Sequence, residues 1–368
     1  SEVPELDLYY PWEITPEDAI QLAVDCEAIA RNEDKRINNS DGTSVSTYSG
    51  NHFYGNTHGF IDGWHWSSHT IDCTVIAETS NGMQRDGWYS KSRNKDNLQS
   101  ISAIAKEAAK RTIQRLDAKK LSTRQCPVIF EAPIASGLFS AFITAISGGS
   151  LYRKASFLLD KIDEQVFADH IHIHEQPHLK GALGSAPFDN EGMATKNRDL
   201  IVDGILQGYV LSSYSARKLG LQPTANAGMA TKNRDLIVDG ILQGYVLSSY
   251  SARKLGLQPT ANAGGVHNLT IDNSEHDLEA LIKQMDTGLF ITDMIGFGVN
   301  QITGDYSRGA SGFWVENGEL QYPVEEITVA GNLTEMYKQI IHIGNDVDPR
   351  GNILTGSVLI ENMTVAGE

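Results

Sequence analysis

The chain has 368 residues and a formal net charge of −16, a length that accommodates two domains with ordinary cores. So acidic a surface repels phosphate backbones, and no Lys/Arg run or arginine-aromatic stripe offsets it, which argues against direct nucleic-acid binding. Cys26, Cys73 and Cys126 are an odd set, too widely spaced for a CxxC clip or a redox pair, and fit a reducing cytoplasm.

The opening SEVPELDLYYPWEIT has neither a basic n-region nor an apolar h-region, so no secretory signal is expected. Thr15 is a plausible N-cap for a helix over Thr15 to Asn32, with acids in its first turn and apolar residues at helical spacing. From Arg36 to about Trp88 short β-type runs alternate with turn residues such as NSDG and SNGMQRDG, implying several antiparallel strands. A second amphipathic helix spans about Leu98 to Leu116. The polar DAKKLSTRQ after it marks a boundary between an N-terminal domain, residues 1–122, and a larger one, residues 123–368.

Beyond that boundary CPVIFEA reads as a buried strand and Ile134 to Ile146 as an apolar helix. The uncharged stretch Ala132 to Tyr152 contains Pro133, Gly137, Gly148 and Gly149, so a buried core helix is expected rather than a membrane span. LIVDGILQGYVL reads as a hairpin turning at Asp203-Gly204, and FWVENGELQYPVEEITVAG as another turning at Asn317-Gly318. A last helix is expected over Leu333 to Ile341. The fold class is therefore α+β, with an N-terminal α/β portion and a larger β-rich C-terminal domain carrying a few helices.

Residues 192–227 and 228–263 are identical letter for letter. Repeat architectures keep only their structural positions and need about three units to be stable, so two copies that match even at Lys196/Lys232 and Gln222/Gln258 read as a duplication of one segment, not a solenoid. The chemistry is then carried by one copy, and the other is an insertion.

Two constellations could carry chemistry. His174-Glu175-Gln176-Pro177-His178 matches the HExxH string, which holds zinc only when a helix brings both histidines to one face. Pro177 opposes a continuing helix, and HIHIH before it alternates like a strand, placing His170, His172 and His174 on one face. A catalytic zinc, an adventitious metal and a plain hydrogen-bonded histidine strand are all compatible with this text. In Thr303-Gly304-Asp305-Tyr306-Ser307-Arg308-Gly309 a carboxylate, a phenol, a hydroxyl and a guanidinium sit between glycines. Asp305, Tyr306, Ser307 and Arg308 could line a peptide groove, or an Asp-Arg pair could staple a turn. There is no GxSxG elbow, and no nucleophile or base is identified locally.

Taken together, NSDG (39–42), SGGSLYRKASFLLDKI (147–162), HEQPHLKGALGSAPFDNEG (174–192), GVNQITGDYSRGASGFWVENGELQYPVEEITVAGNL (298–333) and IGNDVDPRGNILTGSVLIENMTVAG (343–367) resemble the PmbA/TldE branch of the TldD/PmbA family, bacterial proteins described as modulators of DNA gyrase and as subunits of a TldD/TldE metalloprotease. The resemblance covers nearly the whole chain. It implies a cytoplasmic subunit, inactive on its own, that joins a TldD-like zinc subunit to cleave unfolded peptides, with self-association as an option when the partner is absent. It also implies a partial first domain, because the family carries a further N-terminal stretch of sheet and helix, and a single copy of the duplicated segment. The HExxxH zinc helix of the TldD branch falls on Phe139, Ser140 and Thr144, and no cysteine follows Cys126 to supply the family's late ligand. By that implication this chain holds no zinc and no cofactor of its own, has no catalytic residue, and His174, Glu175 and His178 match a zincin string by coincidence. The rival implications are a scaffold or regulatory binding protein, and a self-sufficient zinc protease using HEQPH.

Overall fold

The computed structural model describes residues 4–57, 59–219, 237–238, 241–242 and 262–367. Helix α1 (Pro16–Glu33) starts where Thr15 Oγ1 accepts from Asp18 N at 3.1 Å, and α2 (Ile101–Gln114) where Ser100 Oγ accepts from Ala103 N. Both lie on an antiparallel meander of β1 (Ile37–Gly55), β2 (Ile61–Thr79) and β3 (Gly82–Ser92). Alternate residues of β2, namely Ile71, Cys73, Val75 and Ala77, face Cys26, Ala30, Ile104, Ala105 and Ala108 of the helices, and the small side chains let the layers close. The strands are longer than the turn-like text implies. NSDG does not end β1 but forms a β-bulge between Ser40 and Gly42, with Gly42 at φ 117°.

The wide spacing of Cys26 and Cys73 is also misleading, because α1 crossing β2 brings the two buried thiols into hydrogen-bond contact. That bond, helped by burial, keeps Cys26 protonated as the donor and draws Cys73 down to about 7.

In the second part, β4 (Arg124–Phe130), β11 (Gly288–Ile295), β12 (Asp305–Glu316), β13 (Glu319–Asn332) and β16 (Val358–Ala366) pair in turn around a ring. β13 closes it on β16, from Thr328↔Ala366 to Ala330↔Thr364. β14 (Ile340–Ile343) flanks β16. A second sheet runs β15 (Ile353–Leu354), β10 (Leu269–Ile271), β5 (Ile173–Glu175), β6 (Arg198–Val202), β7 (Ile205–Leu206). Helix α3 (Ala132–Ile146) joins the two: its Leu138, Phe139, Phe142 and Ile146 share one core with strands of both sheets, and Tyr337 Oη donates to Leu138 O at 2.8 Å. α4 (Gly148–Tyr152) and α5 (Ser213–Leu219) pack together beside it. α6 (Leu278–Met285) covers Ile129, Phe290 and Phe313 on the other side of the ring. No helix among the described residues is long and apolar enough to cross a membrane.

Both hairpin turns form as read. Asp203 and Gly204 have φ 50° and 74°, and Asn317 and Gly318 have φ 55° and 71°, the left-handed pair a two-residue turn needs. The helix expected over Leu333 to Ile341 is cut short. α7 (Leu333–Met336) stops there, since Tyr337 is drawn into the core under α3 and Ile340 onward pairs with β16. Nor do His170, His172 and His174 share a strand. Residues 169–170 are a turn, and the strand begins only at Ile173.

The duplicated segments divide the work. Residues 192–219 of the first copy supply β6, β7 and α5, while Asn262 and Ala263 of the second complete the same unit. Asp189, buried, holds both ends: its carboxylate accepts from Glu191 N, Met193 N and Ala263 N. The intervening second copy includes β8 (Ile237–Val238) and β9 (Ile241–Leu242). These pair Ile237↔Leu242 and Val238↔Ile241, the register of β6 and β7 displaced by one 36-residue unit.

Candidate functional site

The HEQPH string lies on the end of β5 and the turn after it, so its side chains diverge. Glu175 points inward, 2% exposed. Its carboxylate accepts from Arg198 Nε at 2.7 Å, Asn262 Nδ2 at 2.7 Å and His267 N at 2.9 Å, and Arg198 also donates to Asn262 Oδ1 and Tyr209 O. Burial opposes its charge, but His267 and Arg198 outweigh it and hold the carboxyl below its ordinary range. His174 points the other way, with Nδ1 2.6 Å from Asp199 and Nε2 3.2 Å from Asp272. His178 bonds Thr195 Oγ1 at 3.0 Å. Among the described residues no three His, Cys, Asp or Glu side chains converge as a metal set, here or elsewhere.

His174 gives a pH signature. Partial burial works against the imidazolium, yet the Asp199 and Asp272 carboxylates raise its pKa above the ordinary value. A raised folded pKa means that the contribution is complete below the unfolded value, about 6.5, and is lost as pH rises through the folded one. The stability difference between the wild type and His174→Ala should therefore be larger at pH 5.5 than at pH 8.5 in urea unfolding. A difference that grows with pH would contradict the pairing.

The second constellation is split by strand geometry. On β12 alternate side chains face opposite ways, so Asp305 and Ser307 are exposed on one face while Tyr306 and Arg308 turn to the other. No Asp305–Arg308 staple forms: Asp305 accepts from Thr303 Oγ1 at 2.6 Å and Asn332 Nδ2 at 3.2 Å, which lower its pKa. Tyr306 is buried edge-on to Phe130, and desolvation pushes its phenol up to about 12 against the pull of the Arg308 guanidinium. Arg308 is half-buried. No carboxylate among the described residues pairs with it, and its Nε is buried without an acceptor. Its Nη1 lies 3.8 Å from where a Cβ on Gly137 of α3 would stand.

Arg308 thus reaches the outer edge of α3, where Ser140 and Thr144 are exposed and Thr144 Oγ1 donates to Ser140 O. Beside it the β11–β12 connection projects. Ser307 N donates to Gly298 O at 2.7 Å and Asn300 N to Asp305 O at 2.8 Å, making a tight ladder that only Gly298 permits, since a Cβ there would overlap Ser307 O. Gly296, at φ 81°, turns the chain so that Phe297 stands wholly in solvent between exposed Ile295 and Ile302. Gln301 Oε1, in the same connection, is buried without a donor among the described residues. Arg308 stands out in the sequence by residue type, but Gly137, Phe297 and Gln301 do not, because nothing local signals that α3 passes this loop.

A fixed ion network anchors the other end of α3. Its N-cap Glu131 spends its carboxylate on a bidentate pair with Arg111 at 2.6 and 2.9 Å, and Arg115 bridges Asp86 and Asp293 at 3.2 Å each. Phe139, Ser140 and Thr144 do not fit a metal: the first is a fully buried ring stacked on Phe167, and the others are neutral hydroxyls.

Residues 9–116 match the family model of the PmbA/TldA metallopeptidase central domain. Residues 123–228 and 226–367 match that of the PmbA/TldA metallopeptidase C-terminal domain, in two stretches that meet at the junction of the copies. The chain is 43% identical over 367 residues to the metalloprotease PmbA of Escherichia coli O157:H7, covering 100% of this chain and 74% of the relative. It is 42% identical to the metalloprotease PmbA homolog of Haemophilus influenzae, covering 100% and 73%. A crystal structure from Bacteroides thetaiotaomicron, described as a modulator of DNA gyrase, superposes with a TM-score of 0.85 at 26% identity over 100% of this chain and 76% of that one. TldE from Thermococcus kodakarensis shares the fold, with a TM-score of 0.75 at 21% identity over 100% and 80%.

Proposed function

The chain belongs to the PmbA/TldA metallopeptidase family, and on that footing we propose that it is a PmbA/TldE-type subunit of a heteromeric, cytoplasmic metalloprotease whose zinc resides in a TldD-like partner. The observation that carries this reading is the donor chemistry of α3. A phenyl ring in the core and two hydroxyls stand where the family's zinc helix would present its ligands, so no step of bond cleavage is assigned to this chain. What the chain offers instead is a surface for an extended, unfolded peptide. Arg308, lacking an anion, and Gln301, lacking a donor, could engage a carboxylate and a peptide N–H, and Phe297 with Ile295 and Ile302 gives apolar contact. Asp305 and Ser307, on the opposite face of β12, fall outside that surface.

Mixing the purified chain with a TldD-type subunit tests this. Hydrolysis of an unfolded peptide is expected only from the mixture, and Arg308→Ala is expected to raise KM more than it lowers kcat. A stable pair without hydrolysis would favour a scaffold, the reading that the description of the Bacteroides relative as a modulator of DNA gyrase supports. Zinc-dependent cleavage by this chain alone, abolished in both Glu175→Gln and His178→Ala, would overturn the proposal in favour of a self-sufficient protease.

A further inference from the structure

Away from α3, the fold gathers three histidines that are distant in sequence. His342 on β14 has its ring centroid 4.5 Å from that of His276, in the loop before α6, and 6.4 Å from that of His170, in the turn before β5. Two imidazoles sharing one tetrahedral ion have centroids about 5 Å apart, given metal–nitrogen bonds of about 2.0 Å. The two observed separations bracket that spacing.

The hydrogen bonding around the pair also suits a metal. Ser274 Oγ donates its only hydrogen to Ile343 O at 2.8 Å, so in its 3.2 Å contact with His276 Nδ1 the ring nitrogen must be the donor. His276 thereby carries a hydrogen on Nδ1, which makes Nε2 the nitrogen that a metal would take. An acceptor behind the ring fixes its orientation, the part that carboxylates, backbone carbonyls and waters play behind ligating histidines. Partial burial and its two histidine neighbours lower the pKa of His342. His170 is about half-exposed, with Nδ1 3.6 Å from the adjacent Asp169 carboxylate, and sits on a turn from which its ring can swing.

We propose that His276 and His342, joined by His170 through rotation of its side chain, bind one divalent transition-metal ion of the zinc, nickel or copper kind, distinct from any zinc of a partner subunit. Neutral imidazoles select borderline metals over magnesium or calcium. The ion would add a side-chain tie among β14, the loop before α6 and the turn before β5, whose backbones already meet where Ser274 N donates to Ile343 O, Asn345 N to His276 O and Asp272 N to His172 O. Rotation is required because no three donors already converge among the described residues.

The test is calorimetric titration of the whole chain with Zn²⁺, paired with histidine-selective NMR. One site is expected, with the His276 and His342 resonances perturbed. Affinity should fall about tenfold or more in His276→Ala/His342→Ala, and measurably in His170→Ala and Ser274→Ala, with His174→Ala unchanged. Wild-type affinity retained in the double variant, or no Zn²⁺ binding at all, would overturn the proposal. Should the double variant fail to fold, unperturbed His276 and His342 resonances in zinc-loaded wild type would overturn it as well. No TldD-like partner enters this experiment, so its outcome is separate from that of the peptidase reading.

Discussion

Replacing Glu175 with alanine is expected to destabilise the folded chain by about 3–5 kcal/mol in urea unfolding, because it strands a buried guanidinium. Arg198 is 11% exposed at its side chain, and the carboxylate it would lose also accepts from Asn262 and His267. Glu175→Gln, which keeps an acceptor oxygen but not the charge, should cost less than the alanine change. A catalytic Glu175 would show the reverse hierarchy: normal folding in both variants, with hydrolysis lost in both. An alanine variant as stable as wild type would remove the network from the account of this sheet.

The same network makes the duplication measurable. Since residues 228–263 repeat residues 192–227, every side chain that the first copy places in the second sheet exists again 36 positions later. Arg198→Ala alone leaves Arg234 able to take the vacated position, with the second copy then supplying the sheet strands in place of the first. The connection from Leu219 to Asn262 spans 42 residues in one arrangement, and the displaced copy spans 36 in the other; closure entropy grows only logarithmically with length, so the exchange should cost little. The single variant should therefore lose less than about 1 kcal/mol, whereas Arg198→Ala/Arg234→Ala should lose about 3–5 kcal/mol. Equal losses would mean that the copies cannot exchange. The exit points favour exchange: Gly192 lies in a half-exposed turn at φ 75°, where a loop can leave the fold without crossing the core.

What could be read from the chain was what short-range physics decides. Thr15 caps α1 because its hydroxyl meets a free N–H three residues on, and Asp203-Gly204 and Asn317-Gly318 turn because those residues tolerate positive φ. The resemblance supplied the family, and the family models and relatives agree with it. What escaped was decided by contacts far apart in sequence. Tyr337 ends α7 because its hydroxyl reaches Leu138 on α3, and no helical pattern contains that information. Cys26 and Cys73 meet only because α1 lies across β2. At the candidate site Arg308 was visible as a residue type, but the separation of Asp305 and Ser307 from it depends on β12 continuing as a regular strand through a glycine-rich text. His170, His276 and His342 carry no common motif, and only the packing of β14 beside the second sheet's loops joins them.

The ring of strands has a consequence for folding. β16 is the stave that completes the cylinder, touching both β4 and β13. Until it docks, β4 and β13 present naked rims, so an intermediate without β16 in place is the stickiest form of this part of the chain.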